Sequence, residues 1–178
     1  MRKLKVYIAI SLDGYIATRE GKIEWLTGFP NPEGTDYGYA EFLAAIDTTL
    51  MGNNTYKDVL VLSETFPYPD KTNYVFTRDS MQTDTEFVKF ISRDITELVE
   101  ELKKEKGKDI WLVGGGQLNG ALLQADLIDE MTIHVIPVVL GDGLPLFGGI
   151  PMEKVFSLTA TKTYNSGVLE LHYERITN

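Results

Sequence analysis

The sequence feature that most constrains the fold is the segment 109–124, which joins a short apolar run, three consecutive glycines and a helical pattern. The apolar run at 110–113 is too short for a helix and consists of bulky residues, so it predicts a buried β-strand. The residues that recur at helical spacing after the glycines, and that we expect on one buried face, are Leu118, Ala121, Leu122 and Ala125. The segment therefore predicts a strand, a glycine turn and a helix in direct succession.

Gly114, Gly115 and Gly116 have two interpretations. Glycine has no Cβ, so a ligand can approach the main chain, and a helix N-terminus offers free N–H groups and partial positive charge to a phosphate. A tight strand-to-helix turn also requires glycine for its own geometry. The pattern is neither G-x-G-x-x-G nor a Walker loop, and the local sequence leaves both interpretations open.

Composition limits the classes of function. The 178 residues fit one domain, and 43% hydrophobic with 24% charged residues is typical of a globular protein. With 17 basic and 26 acidic residues the net charge is −9, so nucleic acid or an anionic membrane is an unexpected partner, whereas a phosphorylated small molecule is not excluded. The chain has no cysteine and two histidines, so we expect no metal site. No signal peptide or membrane-spanning run is visible, which favours the cytoplasm.

Alternation of strand and helix patterns predicts an α/β fold. The expected strands are 4–10 (central), 48–51, 73–76, 86–90 (near a sheet edge) and 131–140, followed by a hairpin of 156–164 and 168–176 with a turn at 165–167. We expect helices with Tyr39, Phe42, Leu43 and Ile46 on one face, from Gly52–Thr55 onward, and from Asp94 to about Lys106. Pro137 within its strand predicts an edge position or a bulge. The sheet should be mostly parallel and end in antiparallel strands.

A second strand–turn–helix unit contains Gly52, Asn53, Asn54 and Thr55. Capping alone would explain Asn and Thr at a helix start, but such a start can also receive a phosphate. Thr77 and Arg78 end another strand, where an arginine is either a solvated charge or a contact to a nucleotide. In an open α/β sheet these turns share the carboxyl edge of the strands, so a dinucleotide is a natural occupant.

Three further residues have structural explanations that compete with functional ones. Asp13, in an Asp-Gly turn, is expected to cap main-chain N–H groups. Trp25 is either core or the wall of a pocket, with core favoured. His134 alternates with apolar neighbours, which favours packing and hydrogen bonding over catalysis.

Taken together, the motifs resemble those of the dihydrofolate-reductase-like superfamily, and within it the reductase domain of RibD-type riboflavin-pathway enzymes. The segments that carry the resemblance are Ser11-Leu12-Asp13-Gly14, Trp25, Met51-Gly52-Asn53-Asn54-Thr55-Tyr56, Val113-Gly114-Gly115-Gly116-Gln117-Leu118 and Val138-Val139-Leu140-Gly141-Asp142-Gly143 with Leu146-Phe147. The resemblance covers nearly the whole chain, and residues 1–178 are expected to form a single domain of this kind. It implies a three-layer fold, with a mostly parallel central sheet, helices on both faces and antiparallel C-terminal strands.

The resemblance also implies a nicotinamide dinucleotide lying across the strand ends. Ala9 and Ile16 would hold the nicotinamide carboxamide, and Thr77 and Arg78 would border the adenosine. The pyrophosphate would be held by Gly52, Asn53, Asn54, Thr55, Val113, Gly114, Gly115, Gly116, Gln117 and Leu118. Relatives that use NADPH often carry a basic residue where this chain has Asn53. Arg78 or Lys57 could compensate, so NADPH is favoured and NADH is not excluded.

By the same resemblance, we expect a reductase that transfers a hydride to a pyrimidine-ribosylamine or pterin-like compound. Trp25 and Phe29 would contact substrate, and Arg19 and Lys22 are basic candidates for a substrate phosphate. Asp36 has the spacing of the proton-donating acid, although a helix cap explains it equally well, and Asp13 is the second acidic candidate. Alternatives are dihydrofolate reduction and a non-catalytic nucleotide-binding homodimer. A homodimer through the C-terminal sheet region is expected in each case.

Overall fold

The computed structural model describes residues 1–63, 65–149 and 153–176. The strands are β1 (Leu4–Ser11), β2 (Tyr15–Ala17), β3 (Ile46–Gly52), β4 (Thr72–Phe76), β5 (Val88–Ile91), β6 (Asp109–Gly114), β7 (Glu130–Ile136), β8 (Leu144–Pro145), β9 (Phe156–Thr163) and β10 (Leu169–Arg175). The helices are α1 (Glu24–Thr27), α2 (Tyr39–Ala44), α3 (Asn53–Leu62), α4 (Ile95–Lys104) and α5 (Gly116–Gln124).

Eight strands form one sheet in the order β5-β4-β3-β6-β1-β7-β10-β9. The pairings from β5 to β7 are all parallel, and β10 is antiparallel to both of its neighbours, β7 and β9. The short strands β2 and β8 form a separate antiparallel pair. The expected mostly parallel sheet with an antiparallel C-terminal hairpin is therefore confirmed.

Alternating side chains of the central strands supply two cores on opposite faces of the sheet. On one face, Ile110 and Leu112 pack with buried leucines of α4 and α5. On the other, Trp111 packs with aromatic side chains of α2 and α3. Because neighbouring residues of a strand point to opposite faces, the run 110–113 contributes to both cores and is apolar throughout.

The connections leaving β3 and β6 run in opposite directions along the sheet. From β3 the chain passes through α3 to β4, whereas from β6 it passes through α5 across β1 to β7. Right-handed crossovers in opposite directions place the two helices on opposite faces of the sheet. Adjacent parallel strands with this property form a topological switch point, and the crevice at their carboxyl ends is where open α/β sheets bind ligands.

Several details of the sequence prediction were wrong. β7 ends at Ile136 and lies between β1 and β10, so Pro137 follows an interior strand instead of marking an edge. Ile46 was predicted on the face of α2, but that helix ends at Ala44 and Ile46 is the first residue of β3. The buried face of α5 is formed by Asn119, Gly120, Leu122 and Leu123, while Ala125 is exposed. Within the described ranges, none of the helices has the length and hydropathy that a bilayer-spanning segment requires.

Candidate active site

Two glycine turns meet at the carboxyl ends of β3 and β6. A Cβ atom placed on Gly52 would lie 3.9 Å from both the Gly114 carbonyl oxygen and the Gly115 amide nitrogen. A Cβ atom on Gly115 would lie 3.4 Å from the Thr55 hydroxyl oxygen. The starts of α3 and α5 therefore face each other across a narrow gap, which we call the cradle and define as residues 52–55 with 113–118.

The first N–H groups of both cradle helices lack side-chain caps. The N-cap residues of α3 and α5 are Gly52 and Gly115, and neither helix has a side-chain cap hydrogen bond. By contrast, Asp94 caps α4 by accepting hydrogen bonds from the amides of Thr96 and Glu97. Uncapped N–H groups on two converging helices, together with the helix dipoles, favour an anion between them.

The three consecutive glycines have different roles. Gly114 has a φ of +118°, which side chains rarely tolerate, and its peptide bond to Gly115 is cis. Gly115 faces the cradle gap. At Gly116 a Cβ atom would lie 2.2 Å from the Pro145 carbonyl oxygen, so this glycine allows the main chain of the 145–148 loop to pack against α5. The structural interpretation applies to Gly114 and Gly116, whereas a ligand at Gly115 stays a prediction.

The loop that carries two further predicted cofactor residues lies beside the cradle. Asn53 accepts a hydrogen bond from the Gln82 amide at 3.3 Å, so the loop after β4 packs against the start of α3. Thr77 and the exposed Arg78 directly follow β4 in that loop. Among the predicted cofactor residues other than glycine, the exposed ones are Asn54, Arg78 and Gln117, and the half-buried ones are Ala9, Ile16, Asn53, Thr55, Thr77, Val113 and Leu118. Sequence reasoning missed Gln82, whose partner is 29 residues away.

The two predicted substrate residues pack beside β1. Trp25 and Phe29 belong to one apolar cluster with Ala9 and Tyr37, on the sheet face that also carries α2. The Trp25 indole nitrogen is buried and has no hydrogen-bond partner in the described residues. Ala9 and Ile16 pack with different clusters, Ile16 with the core on the α5 face. We call the cluster of Ala9, Trp25 and Phe29 the substrate-side pocket.

Asp36 binds the start of α2 from two residues before Gly38, which occupies the N-cap position. It is exposed and accepts hydrogen bonds from the amides of Gly38 at 3.0 Å and Ala40 at 2.9 Å. These main-chain bonds lower the pKa of Asp36 below its usual value. A proton donor in an apolar pocket requires a raised pKa, so the arrangement argues against the proton-donating role and favours the capping alternative.

Asp13 joins the turn after β1 to the segment after β7. Its carboxylate accepts hydrogen bonds from the Ser11 hydroxyl at 2.7 Å and from the amides of Leu140 at 3.1 Å and Gly141 at 2.7 Å. The Ser11 hydrogen bond and the two amides lower the pKa of Asp13. This carboxylate is also held ionised, so its geometry fits a structural tie better than proton transfer.

His134 and Glu170 form a buried pair near the substrate-side pocket that the sequence did not reveal. In the sheet register, Ala9 of β1 lies opposite His134 of β7, and His134 lies opposite Glu170 of β10. The His134 Nε2 atom is 3.2 Å from Glu170, which also accepts a hydrogen bond from the Tyr164 hydroxyl. The structural role predicted for His134 agrees with this pairing.

Comparison with known proteins identifies the family. The Bacillus subtilis (strain 168) protein YwjB, itself uncharacterized, is 45% identical over 174 residues, which cover 98% of each chain. A Shewanella sp. PV-4 crystal structure, provisionally named a riboflavin biosynthesis protein, has a TM-score of 0.86 and 31% identity over 98% of this chain and 99% of its own.

Dihydrofolate reductase from Enterococcus faecalis, in complex with NADP(H), has a TM-score of 0.67 and 18% identity over 97% of this chain and 96% of its own, which shows the shared fold. The α/β fold with helices on both faces is thus dihydrofolate-reductase-like, as the motifs implied. The model of the RibD C-terminal domain matches residues 2–169. The chain therefore belongs to the RibD C-terminal domain family.

Proposed function

We propose that the protein is a reductase that binds a reduced nicotinamide dinucleotide, preferentially NADPH, and transfers a hydride to a pyrimidine-ribosylamine or pterin-like compound. The observation that carries the proposal is the meeting of two uncapped helix N-termini at the switch point between β3 and β6. A diphosphate placed there would accept main-chain hydrogen bonds from both helices, and no side chain of the described residues competes as a cap.

The residues present fit such a cofactor. Gly52 and Gly115 would hold the diphosphate, because neither has a side chain that would fill the gap. Ala9 and Ile16 would border the nicotinamide on opposite sides of the β1–β2 turn, and Thr77 and Arg78 would border the adenosine. The bound dinucleotide would supply the hydride, while the protein fixes distance and orientation.

The preference for NADPH depends on where a third phosphate would be bound. The side chain of Asn53 is neutral and already accepts a hydrogen bond from Gln82. Arg78 and Lys57 are both exposed and are the cationic candidates for this phosphate. Arg78→Ala should weaken NADPH binding and leave NADH binding nearly unchanged. Equal losses for both cofactors would contradict this assignment of Arg78.

The substrate side of the proposal rests on the pocket of Ala9, Trp25 and Phe29. The buried indole N–H of Trp25 is a hydrogen-bond donor without a partner in the described residues, so a substrate carbonyl or ring nitrogen would satisfy it. The family and the riboflavin name of a structural relative support the proposed substrate class. Arg19 is not favoured as a contact for a substrate phosphate, because it is exposed and forms an ion pair with Asp142.

The reduction also needs a proton, for which Asp36 and Asp13 are the acidic candidates. Both carboxylates are exposed and hydrogen-bonded to main-chain amides. We therefore propose that solvent supplies the proton and that these carboxylates hold loops in position.

We further propose that the chain acts as a homodimer. Strand β9 supports this, because it forms the C-terminal edge of the sheet and its residues 157–163 are exposed.

The test is a two-stage assay on the purified protein. Binding of NADPH and NADH is measured by titration, and oxidation of each is then followed with dihydrofolate, dihydropterin and ribosylamino-pyrimidine substrates. Tight NADPH binding with turnover of a ribosylamino-pyrimidine is the expected result. Failure to bind either nucleotide would overturn the proposal, whereas binding without turnover would favour the non-catalytic alternative. Sedimentation at micromolar concentration tests the dimer, and a monomer would contradict it.

A further inference from the structure

A polar cluster that is largely buried lies next to the substrate-side pocket and contains none of the predicted cofactor residues. We call it the Tyr37 anchor and define it as Tyr7, Tyr37, His134, Tyr164 and Glu170. His134 and Glu170 are only 4% and 8% exposed. Burial of a carboxylate and an imidazole costs free energy unless both are well paired. A well-packed apolar pair would fill the same space without that cost, so the arrangement calls for another explanation.

The anchor holds Tyr37 by its main chain and by its ring. The Tyr7 hydroxyl donates a hydrogen bond to the Tyr37 carbonyl oxygen at 2.9 Å. The Tyr37 ring packs edge-on against the Tyr164 ring, with 4.7 Å between centroids, and against the His134 ring, with 5.8 Å between centroids. Glu170 binds both of those neighbours, since it accepts from the Tyr164 hydroxyl and pairs with His134.

Tyr37 lies at one end of the segment 28–38, which joins α1 to α2. Glycines stand at both ends, Gly28 and Gly38, the latter with a φ of +85°. Inside the segment, Asn31 and Thr35 exchange two hydrogen bonds, from the Asn31 amide to the Thr35 carbonyl and from the Thr35 amide to the Asn31 side chain. The segment is therefore a loop that is closed on itself by its own hydrogen bonds.

Both ends of this segment pack in the same apolar cluster, where Phe29 and Tyr37 lie with Ala9 and Trp25. Tyr37 is in addition fixed to the sheet by the anchor. A contact from the Asn165 amide to Glu33 adds an exposed tie to the hairpin turn. Loss of the anchor would thus weaken the hold on the Tyr37 end of the segment and leave the apolar contacts of Phe29 in place.

We propose that His134 and Glu170 are positioning residues, which fix Tyr37 and thereby hold the segment 28–38 in place beside the substrate-side pocket. The proposal rests on the proposed function in one respect, since it takes that pocket to be the place where substrate binds. The anchor contains no residue of the cradle or of the predicted adenosine site, although Ala9, a predicted nicotinamide neighbour, lies opposite His134 in the sheet. Loss of the anchor should therefore weaken substrate binding more than dinucleotide binding.

The first experiment measures how firmly Tyr37 is held, without any ligand. Chymotrypsin can cleave the bond between Tyr37 and Gly38, whereas Phe29 is followed by Pro30, which prevents cleavage there. Mass spectrometry identifies cleavage at the Tyr37–Gly38 bond. Tyr7→Phe removes only the hydroxyl that binds the Tyr37 carbonyl, and Glu170→Gln removes the charge that organises Tyr164 and His134. Tyr173→Phe is the matched control, because it removes a hydroxyl from β10 on the opposite face of the sheet.

Both anchor variants should be cleaved at the Tyr37–Gly38 bond at least fivefold faster than the wild type, and the control should match the wild type. Unchanged cleavage in Tyr7→Phe and Glu170→Gln would overturn the proposal. If Glu170→Gln does not fold, as judged by circular dichroism, Tyr7→Phe alone decides, since it preserves the ring that stacks on Phe42 at 4.6 Å.

The second experiment separates positioning from general structural support. In Glu170→Gln, the KM for whichever substrate shows turnover should rise about tenfold, while kcat and the Kd for NADPH change less than twofold. Equal loss in NADPH binding would contradict the proposal, because it would indicate general loosening. Absence of turnover and of nucleotide binding in the wild type would refute the proposed function, and the cleavage experiment would still decide the fate of the anchor.

Discussion

Gly115→Asp tests the cradle directly, because it adds one negative charge where the diphosphate would lie. Gly115 has a φ of −82° and a ψ of −164°, which are values that any residue adopts, so these two angles admit a side chain. Aspartate is also a favoured N-cap and would accept hydrogen bonds from the free amides of α5, so we expect stability to stay unchanged or rise by about 1 kcal/mol.

Nucleotide binding should change in the opposite direction. Two unit charges about 5 Å apart repel by about 3 kcal/mol at an effective dielectric constant of about 20. Since about 1.4 kcal/mol corresponds to a factor of ten, the Kd for NADPH should rise by about 100-fold or more. The new carboxylate would also occupy the N–H groups that the phosphate needs, which adds to the loss.

The assay is a fluorescence titration of NADPH at about 0.15 M salt, where charges further apart than about 8 Å are largely screened. Gln124→Glu is the matched control, because it adds a charge at the far end of α5, about 13 Å away over nine residues. The control should bind like the wild type. Unchanged binding in a folded Gly115→Asp variant would refute the assignment of the cradle.

Three further predictions concern other parts of the molecule. Gly120→Ala should lower the free energy of unfolding by about 1–3 kcal/mol in urea titrations, because its Cβ atom would lie 2.3 Å from the Gly148 carbonyl oxygen; no loss would contradict the close main-chain packing. Asp36→Asn should keep the pH profile of turnover, since asparagine also caps helices; a shifted profile would restore the proton-donor role. Burial lowers the pKa of His134 below its usual 6.5, against the opposing effect of Glu170, so the unfolded chain binds more protons and stability should fall as the pH drops below about 6.5. His134→Gln should reduce the change of the urea unfolding midpoint with pH between pH 7.5 and 5.5. An unchanged dependence on pH would show that other groups cause it.

The parts of the fold that were predictable from the sequence are those set by neighbouring residues. The strand at 110–113, its glycine turn and the following helix depend on local periodicity and on conformations that favour glycine. The hairpin turn at 165–167 is likewise local, with a positive φ at Gly167. Predictions based on these signals agree with the structure to within a few residues.

The parts that were not predictable depend on contacts between distant segments. The buried face of α5 includes Gly120 instead of Ala125, because the main chain at Gly148 packs against it. The pairing of His134 with Glu170 joins residues 36 apart in the sequence, across β7 and β10. Alternating hydrophobicity gives the face on which each side chain lies, but it does not give the strand that pairs with it.

Gly116 and Gly120 have a consequence for how this chain can diverge. The position of α5 is fixed by contact of its main chain with the carbonyl groups of Pro145 and Gly148. Any residue larger than glycine at either helix position would push the loop and the helix apart. The loop is restricted as well, because Leu146 is buried in the core and a Cβ atom on Gly148 would lie 3.3 Å from the Gln117 nitrogen. Divergence at this junction is therefore limited on both sides, and the exposed Pro145 is the loop position where a new side chain is accommodated most readily.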